Sequence, residues 1–397
     1  MGNKKTSGYP AVFVHGLFGW GENDGLEKKY HYWGFGGRER DLLGYLRRCR
    51  YEVYAPSLGP VTGAWDRSCE LWAYLKGGRV DYGRVHSAKY GHARYGRTYP
   101  GVLKDWGKPG RHEKIDLIAH SFGGMNVTVF TQLVLRGSRE EREGTPPEEL
   151  SDLFRESKTE KIHSVTTVSG VINGTTFADS LGERGMRAVV SAVFGISALL
   201  GATPLMKVFD MYLDPWNVTG EPGKPLKERL ISLAKAVRGV RAYNAHHLDN
   251  AGFEMQLATA YGINAGIETD PDVYYFARRA CRTHDDGKGN QVPDRDMRKI
   301  LKVWSTIIGR YRPERLRAFG FDESWLPSDG IVNVNGHSAP RNAPCKDGTG
   351  VTGFRPGVWY NMPVEDKHHM SWVGIGEDPK TFFRYYRDML GMLEKLN

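Results

Sequence analysis

A serine, an aspartate and a histidine met in that order along the chain could together carry out acyl transfer. The chemistry needs a hydroxyl that can lose its proton, an imidazole to take it, and a carboxylate to hold that imidazole in one tautomer. Ser121 stands in Ala119-His120-Ser121-Phe122-Gly123, between small residues. Small neighbours are needed where a strand turns sharply into a helix and the two backbones crowd together. Far downstream come Asp329, in Ser328-Asp329-Gly330, and His369, in Lys367-His368-His369-Met370. Asp322 and Asp347 are rival acids, and His337 and His368 rival bases; spacing does not choose between His368 and His369. The pentapeptide alone fits a buried serine after a strand equally well, so the elements around it must decide.

Those elements have the required character. Residues 115–118 are an apolar run that reads as a strand, and 125–135 read as the helix after the turn. Upstream, the apolar residues 12–14 lead into His15-Gly16-Leu17-Phe18-Gly19. In that strand-to-helix position a loop can present a backbone N–H to a developing oxyanion; the role falls on Leu17, with the Phe122 amide as the second donor. Further strands are expected at 51–56, 161–168 and 273–277, and helices at 40–48, 227–240, 253–264 and 381–396. Strands alternating with helices predict an α/β architecture, a mostly parallel sheet flanked by helices. Residues 137–160, with Thr145-Pro146-Pro147, read as a linker, and 281–296 as a polar loop region.

Two stretches stand apart. Residues 59–106, dense in Tyr, His, Arg and Gly, read as an insertion holding Asp66, His86 and His92. Two imidazoles and a carboxylate suit zinc, although exposed histidines are the commoner outcome for such a composition. Residues 186–201 are apolar nearly all round. They fit a buried core helix, or a lid that covers an apolar site when closed and meets lipid when open.

With 397 residues, 40% hydrophobic and 12% aromatic, the chain is ample for a large core, which excludes disordered and fibrous classes. The net charge of +9 comes from basic residues interleaved with acids, as in Arg139-Glu140-Glu141-Arg142-Glu143; this is a solvated surface and not a nucleic-acid footprint. Cys49, Cys69, Cys281 and Cys345 form no C-x-x-C motif. No apolar run reaches the roughly 18 residues of a membrane span. Met1 to Ser7 is short and polar, so a cytosolic chain or a mature form without its leader is expected; Met1-Gly2-Asn3-Lys4-Lys5-Thr6 also formally fits a myristoylation start.

The chain resembles the thermostable Bacillus-type and staphylococcal triacylglycerol lipases from His15 to the C-terminal helix. The likeness rests on His15-Gly16-Leu17-Phe18-Gly19-Trp20-Gly21, on Trp65-Asp66-Arg67-Ser68-Cys69-Glu70, and on Gly91-His92-Ala93-Arg94-Tyr95-Gly96-Arg97-Thr98-Tyr99-Pro100-Gly101. Ala119-His120-Ser121 matches with its alanine, as does Asp329-Gly330-Ile331-Val332-Asn333; Gly357-Val358-Trp359-Tyr360-Asn361-Met362 sets a register that puts the family's histidine on His369. The resemblance implies one α/β-hydrolase domain over 8–397, with the insertion at 59–106 and a helical lid within 178–240. It implies a Ser121, His369, Asp329 triad cleaving acylglycerol esters at an oil–water or membrane interface. Asp66, His86 and His92 match three ligands of the family's structural zinc, and its fourth, an aspartate, falls on Glu254, with Asp249 as the nearest rival. The family's calcium-binding glutamate is replaced by Ser371, while Asp378-Pro379 is kept, so calcium binding is expected to be weak or absent.

Overall fold

A computed structural model describes residues 8–36, 38–156, 158–182, 185, 212 and 249–396. The helices expected at 186–201 and 227–240, and with them most of the lid segment, lie outside the described residues.

The strand Lys114–His120 is flanked by Ala11–Val14 on one side and Lys161–Val168 on the other, inside a seven-stranded sheet. The order is Cys345–Asp347, Trp359–Asn361, Tyr274–Arg278, Lys161–Val168, Lys114–His120, Ala11–Val14 and Val53–Tyr54, and every neighbouring pair is parallel. Parallel strands covered on both faces are largely apolar, which is why 11–14 read as an unbroken run; Asp116 interrupts 115–118 and is buried with His163 Nδ1 and Ser164 Oγ as hydrogen-bond partners at 2.7 and 2.5 Å. Alternate residues serve opposite layers. Val12, Val14, Ile115 and Leu117 pack with Leu71 and Leu75 of helix Ala64–Lys76 and with Val127 and Phe130 of helix Gly123–Arg136. Ala11, Phe13 and Ile118 pack with Leu43 and Leu46 of helix Leu42–Arg48 and with Phe382 and Tyr386 of helix Pro379–Leu393. The register aligns Val14 with Ala119, Ala119 with Thr167, and Thr167 with Ala277. The loops that follow these strands therefore emerge along one edge, where α/β sheets place their sites.

Several expected boundaries change. Residues 137–160 are no plain linker: Ser138 accepts the Glu141 N–H and starts helix Arg139–Gly144, with Glu141 buried. Within 281–296 the strands Thr283–Asp285 and Gln291–Pro293 pair antiparallel. The insertion contains helix Ala64–Lys76, an antiparallel pair formed by Gly78–Asp81 and Tyr95–Tyr99, and helix Arg84–Tyr90 between those strands. All four cysteines are free thiols.

Candidate active site and metal cluster

Ser121 follows its strand at φ +57°, a left-handed conformation that a non-glycine residue adopts only at a cost. The flanking glycines explain how the turn closes. A Cβ on Gly123 would lie 2.7 Å from the Val14 carbonyl oxygen, one on Gly124 2.7 Å from Gly170 Cα, and one on Gly16 2.5 Å from Ser121 Cβ. The serine is thus pressed against the loop after the first strand, and any larger side chain would push the two apart.

That loop is fixed by buried polar contacts. His15 Nε2 accepts the Leu58 N–H at 3.0 Å, so in the neutral ring Nδ1 carries the proton and donates to Gly16 C=O at 2.9 Å. The ring is neutral because burial, then the Arg67 charge, hold its pKa well below the usual histidine range. Arg67 is itself fully buried; it donates to His15 C=O, lies 3.4 Å from Gly16 C=O and sits 5.3 Å from the Phe122 ring centre. Burial lowers its pKa to about 10, which leaves it charged at neutral pH. On the other side Gly16 N–H donates to Tyr32 Oη at 2.9 Å, Tyr32 donates to His120 Nδ1 at 2.7 Å, and His120 Nε2 donates to His369 C=O at 3.1 Å. Among the described residues, the amides of Leu17 and Phe122 donate to no protein acceptor.

Asp329 and His369 come from loops near the end of the chain. Asp329 Oδ1 accepts the N–H groups of Ile331 and Val332 at 3.0 and 2.9 Å, and Oδ2 accepts His369 Nδ1–H at 2.7 Å. Burial alone would raise the carboxyl pKa, but the imidazoles of His369 and His337 and these hydrogen bonds hold it well below the usual range. His368 faces elsewhere, with Nδ1 3.3 Å from Ser371 Oγ. Ser121 and His369 open onto one cavity of about 470 Å3, whose described lining is mainly apolar and includes Leu17, Phe18, Val171, Phe177 and Trp304. A hydroxyl, an imidazole fixed by a carboxylate, and an apolar chamber suit acyl transfer from an apolar ester.

In the insertion, Asp66, His86 and His92 converge, and the fourth member of their cluster is Asp249. Glu254, expected there, is not a member of the cluster but stands beside it, and its Oε2 accepts the Ala64 N–H at 2.7 Å. The physical reason lies in helix Ala64–Lys76, whose N-cap Gly63 offers no side chain; the longer Glu254 carboxylate fills that role, favoured by the helix dipole. His86 Nε2 lies 3.3 Å from Asp66 Oδ1 and 3.0 Å from Asp249 Oδ2; for His92 Nε2 the distances are 3.8 and 3.5 Å. A tetrahedron with metal–ligand arms of roughly 2.0–2.1 Å has edges of about 3.3 Å, which these distances bracket. Asp66 is wholly buried, yet neither carboxylate oxygen accepts a hydrogen bond, so the residues fit a cation between them. The groups also perturb one another strongly. Burial, then Asp249, push Asp66 up; burial alone would lower His86, but Asp249 and Asp66 raise it to about 10. Glu141 supports the site by accepting the His86 and Val85 N–H groups at 2.7 and 3.1 Å, and Trp65 stacks on His86 at 4.9 Å. At the position considered for calcium, Ser371 faces His368, and Asp378 caps helix Pro379–Leu393 through Thr381 N–H at 2.9 Å.

The profile of the family described as Lipase-like, C-terminal domain matches residues 7–393. The chain belongs to that family. It is 30% identical to Lipase 1 of Staphylococcus aureus over 399 residues, covering 98% of this chain and 55% of the relative. Lipase 2 of the same organism is 29% identical over 92% of this chain and 50% of its own length, so the domain spans about half of these relatives. Among solved structures, Staphylococcus hyicus lipase aligns at a TM-score of 0.83 with 27% identity, over 99% of this chain and 96% of that one. Lipase 1 from Pelosinus fermentans aligns at 0.75 with 35% identity, over 98% and 100%. EstA from Clostridium botulinum aligns at 0.80 with 32% identity, over 99% and 89%.

In this lipase-like domain, sequence reasoning named Ser121, Asp329 and His369 as candidates but not the groups that surround them. Tyr32 and His120 carry no spacing signal, because their link spans 88 residues. Asp249 was within reach as the nearest other acid to Glu254. His337, a rival base by order, lies against the acid, with Nε2 3.1 Å from Asp329 Oδ2.

Proposed function

We propose that the domain is an α/β-hydrolase that cleaves the ester bonds of acylglycerols through an acyl-serine. Ser121 attacks the carbonyl carbon, and His369 takes the hydroxyl proton and later gives it to the leaving alcohol. Asp329 holds His369 in the tautomer with the proton on Nδ1, and the amides of Leu17 and Phe122 receive the oxyanion. Water then repeats the sequence on the acyl-serine and releases the acid. The observation that carries this reading is the 2.7 Å contact between Asp329 and His369 beside the cavity onto which Ser121 opens. The names of the relatives and the apolar lining support a lipid substrate met at an oil–water or membrane interface. No helix of the described residues is long and apolar enough to cross a membrane. The reading treats residues 8–397 as one domain, with a lid between about 178 and 240.

The test is Ser121→Ala assayed on a short p-nitrophenyl ester, with a fall in kcat on the order of 10⁴–10⁶ expected; activity within tenfold of the parent would defeat the proposal. Comparing emulsified long-chain triglyceride with a soluble short ester separates a lipase from a carboxylesterase or phospholipase on the same fold.

Zinc is proposed for the cluster, held by Asp66, His86, His92 and Asp249. Bound there, the ion supplies charge neutralisation and a cross-link, not reaction chemistry. The chain's own part is to hold two carboxylates and two imidazoles within reach of one another.

A further inference from the structure

His337 is fully buried, and the reaction as described gives it no part. It ends the short helical turn Val334–His337, which follows directly on the loop that carries Asp329. Its Nδ1 accepts the Ala280 N–H at 3.4 Å, so the proton of the neutral ring is on Nε2. Nε2 lies 3.1 Å from Asp329 Oδ2, outside hydrogen-bond geometry, and has no hydrogen-bond partner among the described residues. Oδ2 is the same oxygen that accepts His369 Nδ1–H, while Oδ1 is taken by two backbone amides. Two imidazoles therefore lie against one carboxylate oxygen, His369 hydrogen-bonded to it and the N–H dipole of His337 beside it.

The arrangement has a definite sign. Each further N–H dipole brought close to a carboxylate stabilises its negative charge and weakens its pull on the groups already bonded to it. The imidazolium of His369 is stabilised by Asp329, so an N–H dipole beside Oδ2 lowers the basicity of His369. The other ionisable groups facing this pair do not oppose the effect. His120, whose ring centre is 4.7 Å from that of His369, is kept neutral by burial and by the neighbouring His369, and His368 is turned to Ser371.

We propose that His337 is a positioning residue of this site that, through Asp329 Oδ2, holds down the basicity of His369 and so extends activity to lower pH. The proposal rests on the triad reading above. Two near-isosteres separate its contacts. Asparagine places an oxygen near the Nδ1 position and can keep the Ala280 contact but cannot reach Asp329; glutamine places an N–H near the Nε2 position and can keep the Asp329 contact while losing Ala280.

The experiment is the pH profile of kcat/KM on a soluble p-nitrophenyl ester for the parent, His337→Asn and His337→Gln, with fluorophosphonate labelling of each protein. His337→Asn is expected to move the acid limb upward by about 0.5–1 unit, a fall of roughly 3–10-fold on that limb, with KM unchanged and labelling retained on the alkaline plateau. His337→Gln is expected to keep the parent profile. An unmoved acid limb in His337→Asn overturns the proposal, as does an equal shift in both variants, which would mark His337 as packing only. If His337→Asn does not fold, a displaced limb in His337→Gln overturns it and an unmoved limb, with His337→Leu displaced, supports it. A parent protein that takes no label overturns the triad reading instead, so the two failures are distinguishable.

Discussion

The strand edge and the insertion each bury a group of ionisable side chains, and they balance those charges in opposite ways. At the edge the charged group is held by hydrogen bonds from the protein: Asp329 takes two amides and His369, and Tyr32 and His120 link the Gly16 amide to the His369 carbonyl. In the insertion two carboxylates and two imidazoles face chiefly one another, and the Asp66 oxygens accept no hydrogen bond. The first arrangement is preorganised by the protein alone, so its electrostatics are set before any ligand arrives. The second is a charge arrangement that the proposed cation would complete, and binding energy there would become folding energy. On the proposed reading one region acts on a substrate, and the other holds the fold together.

Substitutions of like chemistry should therefore have opposite consequences in the two regions. Asp329→Asn is expected to lower kcat on the order of 10⁴ by favouring the wrong His369 tautomer, while thermal unfolding moves little; a kcat within tenfold of the parent would break the contrast. Asp249→Asn should do the reverse, costing about 3–5 kcal/mol of stability and the bound metal, with kcat at low temperature retained. Elemental analysis and thermal unfolding, with and without a chelator, check this: chelation should destabilise the parent and leave Asp249→Asn unmoved. Glu254→Gln gives the smallest effect and sharpens the ligand assignment. Its amide oxygen can still accept the Ala64 N–H, so a loss of about 1 kcal/mol with full metal content is expected; loss of the metal would return Glu254 to the ligand set.

The contrast also explains what could be read from the chain. Ser121 was legible because a strand, a turn and a helix are local, and the small residues Ala119, Gly123 and Gly124 record where backbones touch. The sheet was legible for the same reason, since strands buried on both faces leave apolar runs such as Ala11-Val12-Phe13-Val14. Asp249 could be named only as a rival to Glu254, because it meets His86 across 163 residues and a carboxylate five positions away looks equivalent in sequence. What separated them is three-dimensional: Glu254 is needed to cap helix Ala64–Lys76, whose N-cap is a glycine. The choice of His369 over His368 was equally closed to spacing, because adjacent residues differ only in which way they point. Glu141 was hidden for a simpler reason: a charged stretch beside two prolines resembles a linker, and nothing local marks one of its acids as buried support for His86.

The central claim is that Ser121 is the nucleophile, made reactive by His369 and Asp329. Mass mapping of the adduct left by a fluorophosphonate probe tests it most directly. The account predicts one adduct per chain, on the peptide containing Ser121, absent in Ser121→Ala and strongly slowed in Asp329→Asn. Modification of another serine, or ester hydrolysis that persists in protein that takes up no probe, would contradict it.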